Sequence, residues 1–452
     1  VLPKANAFVS KEWNTSKSFD TRERFIWGEL YYPIMEKQIV REILLDQQSF
    51  LETKGQLVER DIDLSKTINS KEIVVISGIR RCGKSTLLRM ISSKLDTRMV
   101  FIDFSDIRFA NFSIEDYSLL DESILELFGD VAVFLLDEVQ NAPMWQRWVN
   151  NLFTSGKKVF LTGSNSNLLS SEISTYLTGR NRVIRLCPFS FREFLRLRGI
   201  HVENVNRLTS REKSLLRKSF DEYLKTGGFP EVLIQNDVGL ARNYFEDIIT
   251  KDIVARYGIR DVGELKELAL YLVSNTGYSV SYNNLKNIVG IKSLSTIKSF
   301  LDHLEEAFLF QKINRFSYSI KKQRALPSKI YAGDVGFITS TAFNFSENRG
   351  HRLENLILNH LQRGGKEIYY HLEKKECDFI IKDGPKVIRA IQVSENLSNK
   401  LTMEREINGL LDALRTYDLS EGTIITLDKQ EELKVEKYSI NVIPAWKWLL
   451  EQ

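Results

Sequence analysis

The sequence predicts an α/β protein whose first half is a parallel sheet covered on both faces, followed by helical and mixed units. Five short apolar runs separated by helical patterns recur between residues 73 and 186. Continuous rather than alternating hydrophobicity is how strands buried on both faces read. Beyond Pro188 the periodicity turns helical, and short strands return after residue 366. A chain of 452 residues with ordinary apolar and charged fractions is long for one domain, so several units are expected.

Residues 1–32 are polar and dotted with aromatics, and read as an N-terminal arm. Ile34, Ile39, Val40, Ile43 and Leu44 then mark an amphipathic helix, expected to pack on the core. The first strand, Ile73-Val74-Val75-Ile76, runs into Gly78-Ile79-Arg80-Arg81-Cys82-Gly83-Lys84-Ser85-Thr86, and a helix follows. This is G-x-x-x-x-G-K-[ST] in the strand–helix setting that gives the motif meaning. Two glycines let the backbone wrap a polyphosphate, the helix N-terminus adds positive potential, Lys84 reaches the β/γ-phosphates and the Ser85 hydroxyl meets Mg²⁺. Gly78, Arg80, Arg81, Cys82, Gly83, Lys84, Ser85 and Thr86 are the expected contacts to ATP or ADP.

The later runs are 99–104, 131–138, 158–165 and 182–186. The third strand ends in two acids. Asp137 is placed to hold Mg²⁺, and Glu138 to polarise the water attacking the γ-phosphate, a pairing that favours hydrolysis over transfer to a second substrate. The fourth strand ends in Thr162-Gly163-Ser164-Asn165, where Ser164 or Asn165 would sense the γ-phosphate. Arg180, on the loop before the last strand, is a candidate for stabilising transition-state charge, either on its own nucleotide or on that of a neighbouring subunit in a homo-oligomer.

From 190 to 260 the helical segment is expected to form a lid, with a capping box at Thr209 and Glu212 and a glycine turn at Gly227-Gly228. Arg242 and Arg256 are its candidate phosphate sensors. Residues 261–340 read as helix, helix-turn-helix and hairpin, the winged-helix pattern. Ser295, Thr296 and Lys298 would lie on a recognition helix, and Lys321, Lys322 and Arg324 in a hairpin wing. Double-stranded DNA and a protein partner are both candidate ligands for such a module.

Residues 341–452 begin with a helix bearing Glu354, followed by Asp378 on a strand and a turn into the apolar strand 387–393. That is the frame of PD-(D/E)xK nucleases, which need a further acid and a lysine two residues beyond it. Here those positions are Gln392 and Ser394, so the domain is expected to be nuclease-inactive. Lys386 is the lysine close in sequence that would stand in.

Net charge is +4 and the pI near 8.7, so any basic surface is local. Cys82, Cys187 and Cys377 have no paired or metal-ligand spacing, and no run approaches a membrane span. The opening Val1-Leu2-Pro3-Lys4 lacks a signal-peptide core. A reducing, cytoplasmic setting without a membrane partner is the expectation.

Taken in order, these motifs resemble the archaeal-type ATPases, a P-loop family related to AAA+ and STAND NTPases. The resemblance also rests on Leu135-Leu136-Asp137-Glu138-Val139-Gln140, Pro188-Phe189-Ser190-Phe191-Arg192-Glu193-Phe194, Gly227-Gly228-Phe229-Pro230-Glu231, Lys329-Ile330-Tyr331-Ala332-Gly333-Asp334-Val335-Gly336 and Glu376-Cys377-Asp378-Phe379-Ile380. It implies a P-loop NTPase parallel sheet of AAA+/ASCE type at 33–189, a helical lid, a winged-helix domain and a C-terminal α/β nuclease-like domain. It also implies Mg²⁺-dependent ATP hydrolysis coupled to DNA or protein binding. The rival readings are a nucleotide-gated DNA-binding switch with little turnover and an ATP-dependent nuclease.

Overall fold

The computed structural model describes residues 35–52, 57–164, 179–342 and 349–451. The N-terminal arm and Asn165 lie outside them. Five parallel strands, β1 (Ile73–Ser77), β2 (Met99–Asp103), β3 (Val133–Asp137), β4 (Lys158–Gly163) and β5 (Asn181–Arg185), are ordered β2-β3-β4-β1-β5. The strand bearing the acids is thus separated from the phosphate-loop strand by β4, whose end falls between the two. This is the P-loop NTPase arrangement.

The pleat sends Ile73 and Val75 to one core and Val74 and Ile76 to the other, which explains the unbroken apolar runs. On the first face, the helix Lys37–Glu52 buries Val40, Ile43 and Leu44 beside β2 and the helix Asp116–Phe128. The second face is continuous with the core of the helical and middle units.

The helix Phe191–Leu197 starts on a capping box of Ser190 and Glu193, and Ser210–Thr226 on the predicted box of Thr209 and Glu212. The helical run from 239 to 257 is not one regular α-helix. Gly239–Asp247 passes into a π-helical stretch, Ile248–Val254, before Ala255–Tyr257. Such π segments are costly and tend to serve a site, and this one carries Lys251 and Asp252 to the phosphate loop.

The middle unit has helices Val262–Ser274, Tyr282–Val289 and Leu294–Glu306 and a sheet of β6 (Ser279–Val280), β7 (Phe310–Asn314) and β8 (Ser328–Ala332), ordered β6-β8-β7. The predicted hairpin forms between β7 and β8, but its basic stretch is not a strand-to-strand turn. It is a short helix, Ile320–Ala325, whose start is capped by the Ser319 hydroxyl accepting from the Lys322 N–H. The connection is long enough to close a helical turn, and Ser319 favours doing so.

The C-terminal unit is a six-stranded mixed sheet of β9 (Glu367–Leu372), β10 (Glu376–Asp383), β11 (Lys386–Val393), β12 (Glu421–Thr426), β13 (Glu431–Val435) and β14 (Tyr438–Pro444), ordered β13-β14-β12-β11-β10-β9. Local sequence pattern does not signal the β13–β14 hairpin. Its turn places Glu436 at φ 56° without a glycine to announce it.

Residues 329–336 tie the units together. Tyr331 donates its hydroxyl to Glu354 Oε1 at 2.6 Å, and Asn355 exchanges two hydrogen bonds with the Ala332 backbone, at 2.8 and 2.9 Å. Asp334 accepts from the N–H groups of Gly228 and Gly336 at 2.9 and 2.8 Å. One stretch of the middle unit thus holds both the lid turn and the first C-terminal helix, Arg349–Leu361. Among the described residues no helix is long and apolar enough to cross a membrane.

Candidate nucleotide-binding site

The loop Gly78–Thr86 leaves the C-terminal end of β1, and its two glycines are required for different reasons. A Cβ on Gly78 would lie 2.0 Å from the Leu186 carbonyl oxygen, whereas Gly83 sits at φ +99°. Arg60, which no sequence motif singles out, braces the loop from behind. It donates to the carbonyls of Cys82 and Cys187 at 3.1 and 2.6 Å and pairs with buried Glu193 at 2.9 Å.

In front of the loop is a cavity of about 780 Å³. Arg80, Arg81, Gly83, Lys84, Ser85 and Thr86 line it, with Asp137, Glu138 and Ser164 from the strand ends and Pro230, Lys251, Asp252 and Arg256 from the lid. Two expected contacts turn away. Gly78 is not part of the wall, and the Cys82 thiol is buried against the Leu186 carbonyl at 3.3 Å, so these positions serve the loop's shape.

Lys84 Nζ donates to the carbonyls of Gly78 and Ile79 at 3.2 and 3.4 Å and stands 3.6 Å from Glu138 Oε1. Burial pulls its ammonium down, but the charge of Glu138, and then that of Asp137, keeps its pKa above the ordinary value. Burial, reinforced by the Glu138 charge, pushes Asp137 up to about 6. Hydrogen bonds from Ser85 and Thr162 oppose that shift. Thr162, in the sequence only part of a polar strand end, is the organiser of the two acids. Its hydroxyl donates to Asp137 and accepts the Glu138 N–H at 3.0 Å. Glu138 itself takes a left-handed backbone, φ 46°, which turns its carboxylate into the cavity beside Gln140.

Ser164, at the end of β4, is 1% exposed and its hydroxyl has no hydrogen-bond partner among the described residues. A buried hydroxyl left unpaired at the wall of a polar cavity is costly unless a ligand supplies the partner. Together with a destabilised Asp137 carboxylate beside the Ser85 hydroxyl, this donor set fits a triphosphate with Mg²⁺. Ser85 and Asp137 would hold the metal.

Arg180 is not brought to this site within its own chain. Its carbonyl accepts from the Ile73 N–H at 2.8 Å, which places it at the opposite end of β1 from the loop, and its guanidinium bonds Asn150 Oδ1 at 2.9 Å. Of the candidate lid sensors, Arg256 lines the cavity and Arg242 does not. Asp103, Gln140 and Asn141 also line it. Asp103, at the end of an apolar strand, and Gln140, two residues beyond Glu138 in the same motif, had sequence signals that could have found them.

The structure does gather the C-terminal candidates. Glu354, Asp378, Gln392 and Ser394 line one cavity of about 890 Å³ together with Glu376, Arg405 and Glu406. Gln392 accepts from the Asp378 N–H at 3.2 Å and donates to Glu406 at 2.5 Å. Lys374 and Lys375 also line it, but the lysine paired with the acids is neither at position 394 nor Lys386, which sits exposed at the β10–β11 turn. It is Lys329, arriving from β8 of the middle unit. Its ammonium lies 3.1, 2.6 and 3.3 Å from Glu354, Glu376 and Asp378. Burial would raise the Glu354 carboxyl, but Lys329 holds it well down, whereas burial and the Glu354 charge push Asp378 up.

In the middle unit, Ser295 is engaged with Ser293 at 2.6 Å and Lys298 lies over the Tyr282 ring at 5.3 Å. Thr296 is half-buried, and Lys321, Lys322 and Arg324 are exposed.

Fold and loop define a P-loop NTPase of the AAA+ class, and a family model described as an AAA domain matches residues 70–195. A second model, described as a domain of unknown function, matches residues 217–348. Across 439 residues the chain is 32% identical to the uncharacterized protein MJ1544 of Methanocaldococcus jannaschii, covering 92% of this chain and 96% of that one. An uncharacterized protein of Haemophilus influenzae is 30% identical over 417 residues, covering 87% and 99%. The chain belongs to the family of these two relatives. The Thermotoga maritima RuvB Holliday junction branch migration motor superposes with a TM-score of 0.28 at 17% identity, covering 64% of this chain and 98% of that one, a likeness too loose to argue from.

Proposed function

We propose that the protein is a Mg²⁺-dependent ATPase whose nucleotide state is relayed through the lid to a winged-helix module and a nuclease-like C-terminal domain without cleavage chemistry. The observation that carries this is the unpartnered Ser164 hydroxyl in a cavity where Lys84, Asp137 and Glu138 converge. On binding ATP, Lys84 exchanges the loop's own carbonyls for phosphate oxygens, and Ser164 gains its missing partner from the γ-phosphate. Glu138 is left free of its lysine contact and polarises the attacking water. Mg²⁺ held by Ser85 and Asp137 would neutralise charge on the phosphates. Arg180, at the far end of the strand, acts in this reading only on a neighbouring copy's nucleotide. Asn165 remains a second candidate γ-phosphate contact.

The middle unit's three helices and small antiparallel sheet support the winged-helix reading, with the basic helix 320–325 as the wing and duplex DNA as its partner. Lys329 is already paired with three acids of the C-terminal cavity, which supports a structural or binding role there. Steady-state ATP hydrolysis with Mg²⁺, comparing wild type with Glu138→Gln, with and without duplex DNA, tests the whole. Turnover that is stimulated by DNA and lost in the variant is expected. Unchanged turnover in Glu138→Gln would remove the assignment.

One observation favours the switch reading. Glu138 is engaged by both Lys84 and Gln140, an arrangement that would suppress water activation until both let go. Tight ATP binding with negligible turnover would establish it.

A further inference from the structure

A second cavity, of about 770 Å³, lies between the nucleotide-binding core and the C-terminal domain, on the other side of the Arg60–Glu193 brace from the phosphate loop. Seven cationic side chains and two carboxylates line it, and one of the seven, Lys366, is paired with Asp383 outside the wall. Both carboxylates are already taken. Glu193 pairs with Arg60 at 2.9 Å and Asp61 with Arg196 at 2.7 Å. Arg185, Arg192 and Arg363 are instead held by neutral acceptors, namely the Gln362 side chain at 2.5 Å, the Leu450 carbonyl at 2.6 Å and the Pro188 carbonyl. A carbonyl orients a guanidinium without cancelling its charge. Arg363 also stands 3.8 Å from Glu193, which it shares with Arg60.

Like charges gathered in a partly desolvated crevice repel unless an anion joins them. The surroundings register that potential at His360, whose pKa is pulled down to about 3 by burial and then by Arg363 and Arg192. Apolar side chains, Ile381, Ile388 and Trp448 among them, lie between these cations, with Ile381 paired beside Arg389 across β10 and β11. Cations interspersed with apolar and aromatic surface, in a volume typical of small-molecule sites, suit a ligand that carries both a phosphate and a flat ring.

From this arrangement we infer that the crevice is a second anion site, taking a phosphorylated small molecule of nucleotide size that clamps the C-terminal domain against the core. Arg185 comes from β5, Arg192 from the first lid helix, and Arg363 and Arg389 from the C-terminal domain, so one bound phosphate would bridge three parts of the chain. The site is separate from the phosphate loop and does not depend on ATP hydrolysis there.

The test is calorimetric titration of the full chain with adenosine 5′-monophosphate and with inorganic pyrophosphate, in wild type and in Lys84→Ala, which cripples the phosphate loop. Saturable, salt-sensitive binding should persist in Lys84→Ala. Arg389→Gln, on the exposed face of β11, should weaken it at least about fivefold, and Arg185→Gln should do the same by removing one charge-assisted contact. Circular dichroism checks that both variants stay folded. Two results overturn the site: no saturable binding of either probe in Lys84→Ala, or binding that Arg389→Gln and Arg185→Gln both leave untouched.

Discussion

Arg80 of the phosphate loop and Asp252 of the π-helical lid segment form a two-point ion pair, with Nε to Oδ2 at 2.9 Å and Nη2 to Oδ1 at 3.0 Å. The helical segment is therefore latched to the phosphate loop. Asp252 is 4% exposed at its side chain, so removing its partner leaves a buried charge. Arg80→Ala should cost about 1–3 kcal/mol in urea unfolding, less than for a fully enclosed pair because Arg80 is partly solvated. A cycle with Asp252→Asn should show that most of this is mutual. Independent, additive effects would mean that the latch contributes nothing.

Ser164 offers a sharper test of nucleotide contact. Deleting a buried hydroxyl without a partner should leave the free protein's stability unchanged or slightly raised. If that hydroxyl meets the γ-phosphate, Ser164→Ala should also weaken ATP binding or slow turnover by about tenfold. Lys84→Ala should weaken triphosphate binding by at least about tenfold, read by calorimetry. A Ser164→Ala chain with wild-type affinity and turnover would place the γ-phosphate elsewhere.

Lys329→Met removes the cation that the buried carboxyl groups of Glu354 and Asp378 share. A loss of about 3–5 kcal/mol in chemical denaturation is expected. Lys386→Met, at an exposed turn, should be within about 0.5 kcal/mol of wild type. Equal effects would contradict the placement of Lys329 as the lysine paired with the acids of the C-terminal cavity.

DNA binding, if it runs through the basic helix 320–325, is electrostatic. Its affinity should fall steeply with salt, and replacing Lys321, Lys322 and Arg324 by Ala should reduce the slope of log K against log salt by about 2–3, roughly one for each phosphate that these side chains neutralise. Fluorescence anisotropy across a salt series reads this directly, and an unchanged slope would move the DNA to another face.

His360 gives a pH prediction. Its folded pKa, about 3, lies below the ordinary 6.5, because burial and then Arg363 and Arg192 oppose its charge. The unfolded chain therefore binds the proton first as pH drops. Stability is fully present above 6.5 and is lost on acidification toward 3, at up to about 1.4 kcal/mol per pH unit from this group. His360→Gln should flatten that part of a pH–stability profile, whereas an identical profile would show that His360 ionises freely in the folded state.

The sequence by itself determined the phosphate loop, the acids of β3 and the covered parallel sheet, because each is written in a contiguous stretch. A loop needs its glycines at fixed spacing, a strand buried on both faces needs an unbroken apolar run, and the capping box at Thr209 and Glu212 needs only its two partners three positions apart. Tertiary structure alone decided what those pieces meet. Thr162 as organiser of Asp137 and Glu138, the latch from Arg80 to Asp252 across 172 residues and the arrival of Lys329 among the C-terminal acids all join segments far apart in the chain. Which strand lies beside which is settled by the burial of whole faces, and a side chain's partner follows from that packing. For the same reason Arg180, which the linear motif order allowed at its own nucleotide, stands at the opposite end of the sheet. Position along a strand is local information, but the end of the sheet on which a residue falls depends on the direction in which the strand is laid down.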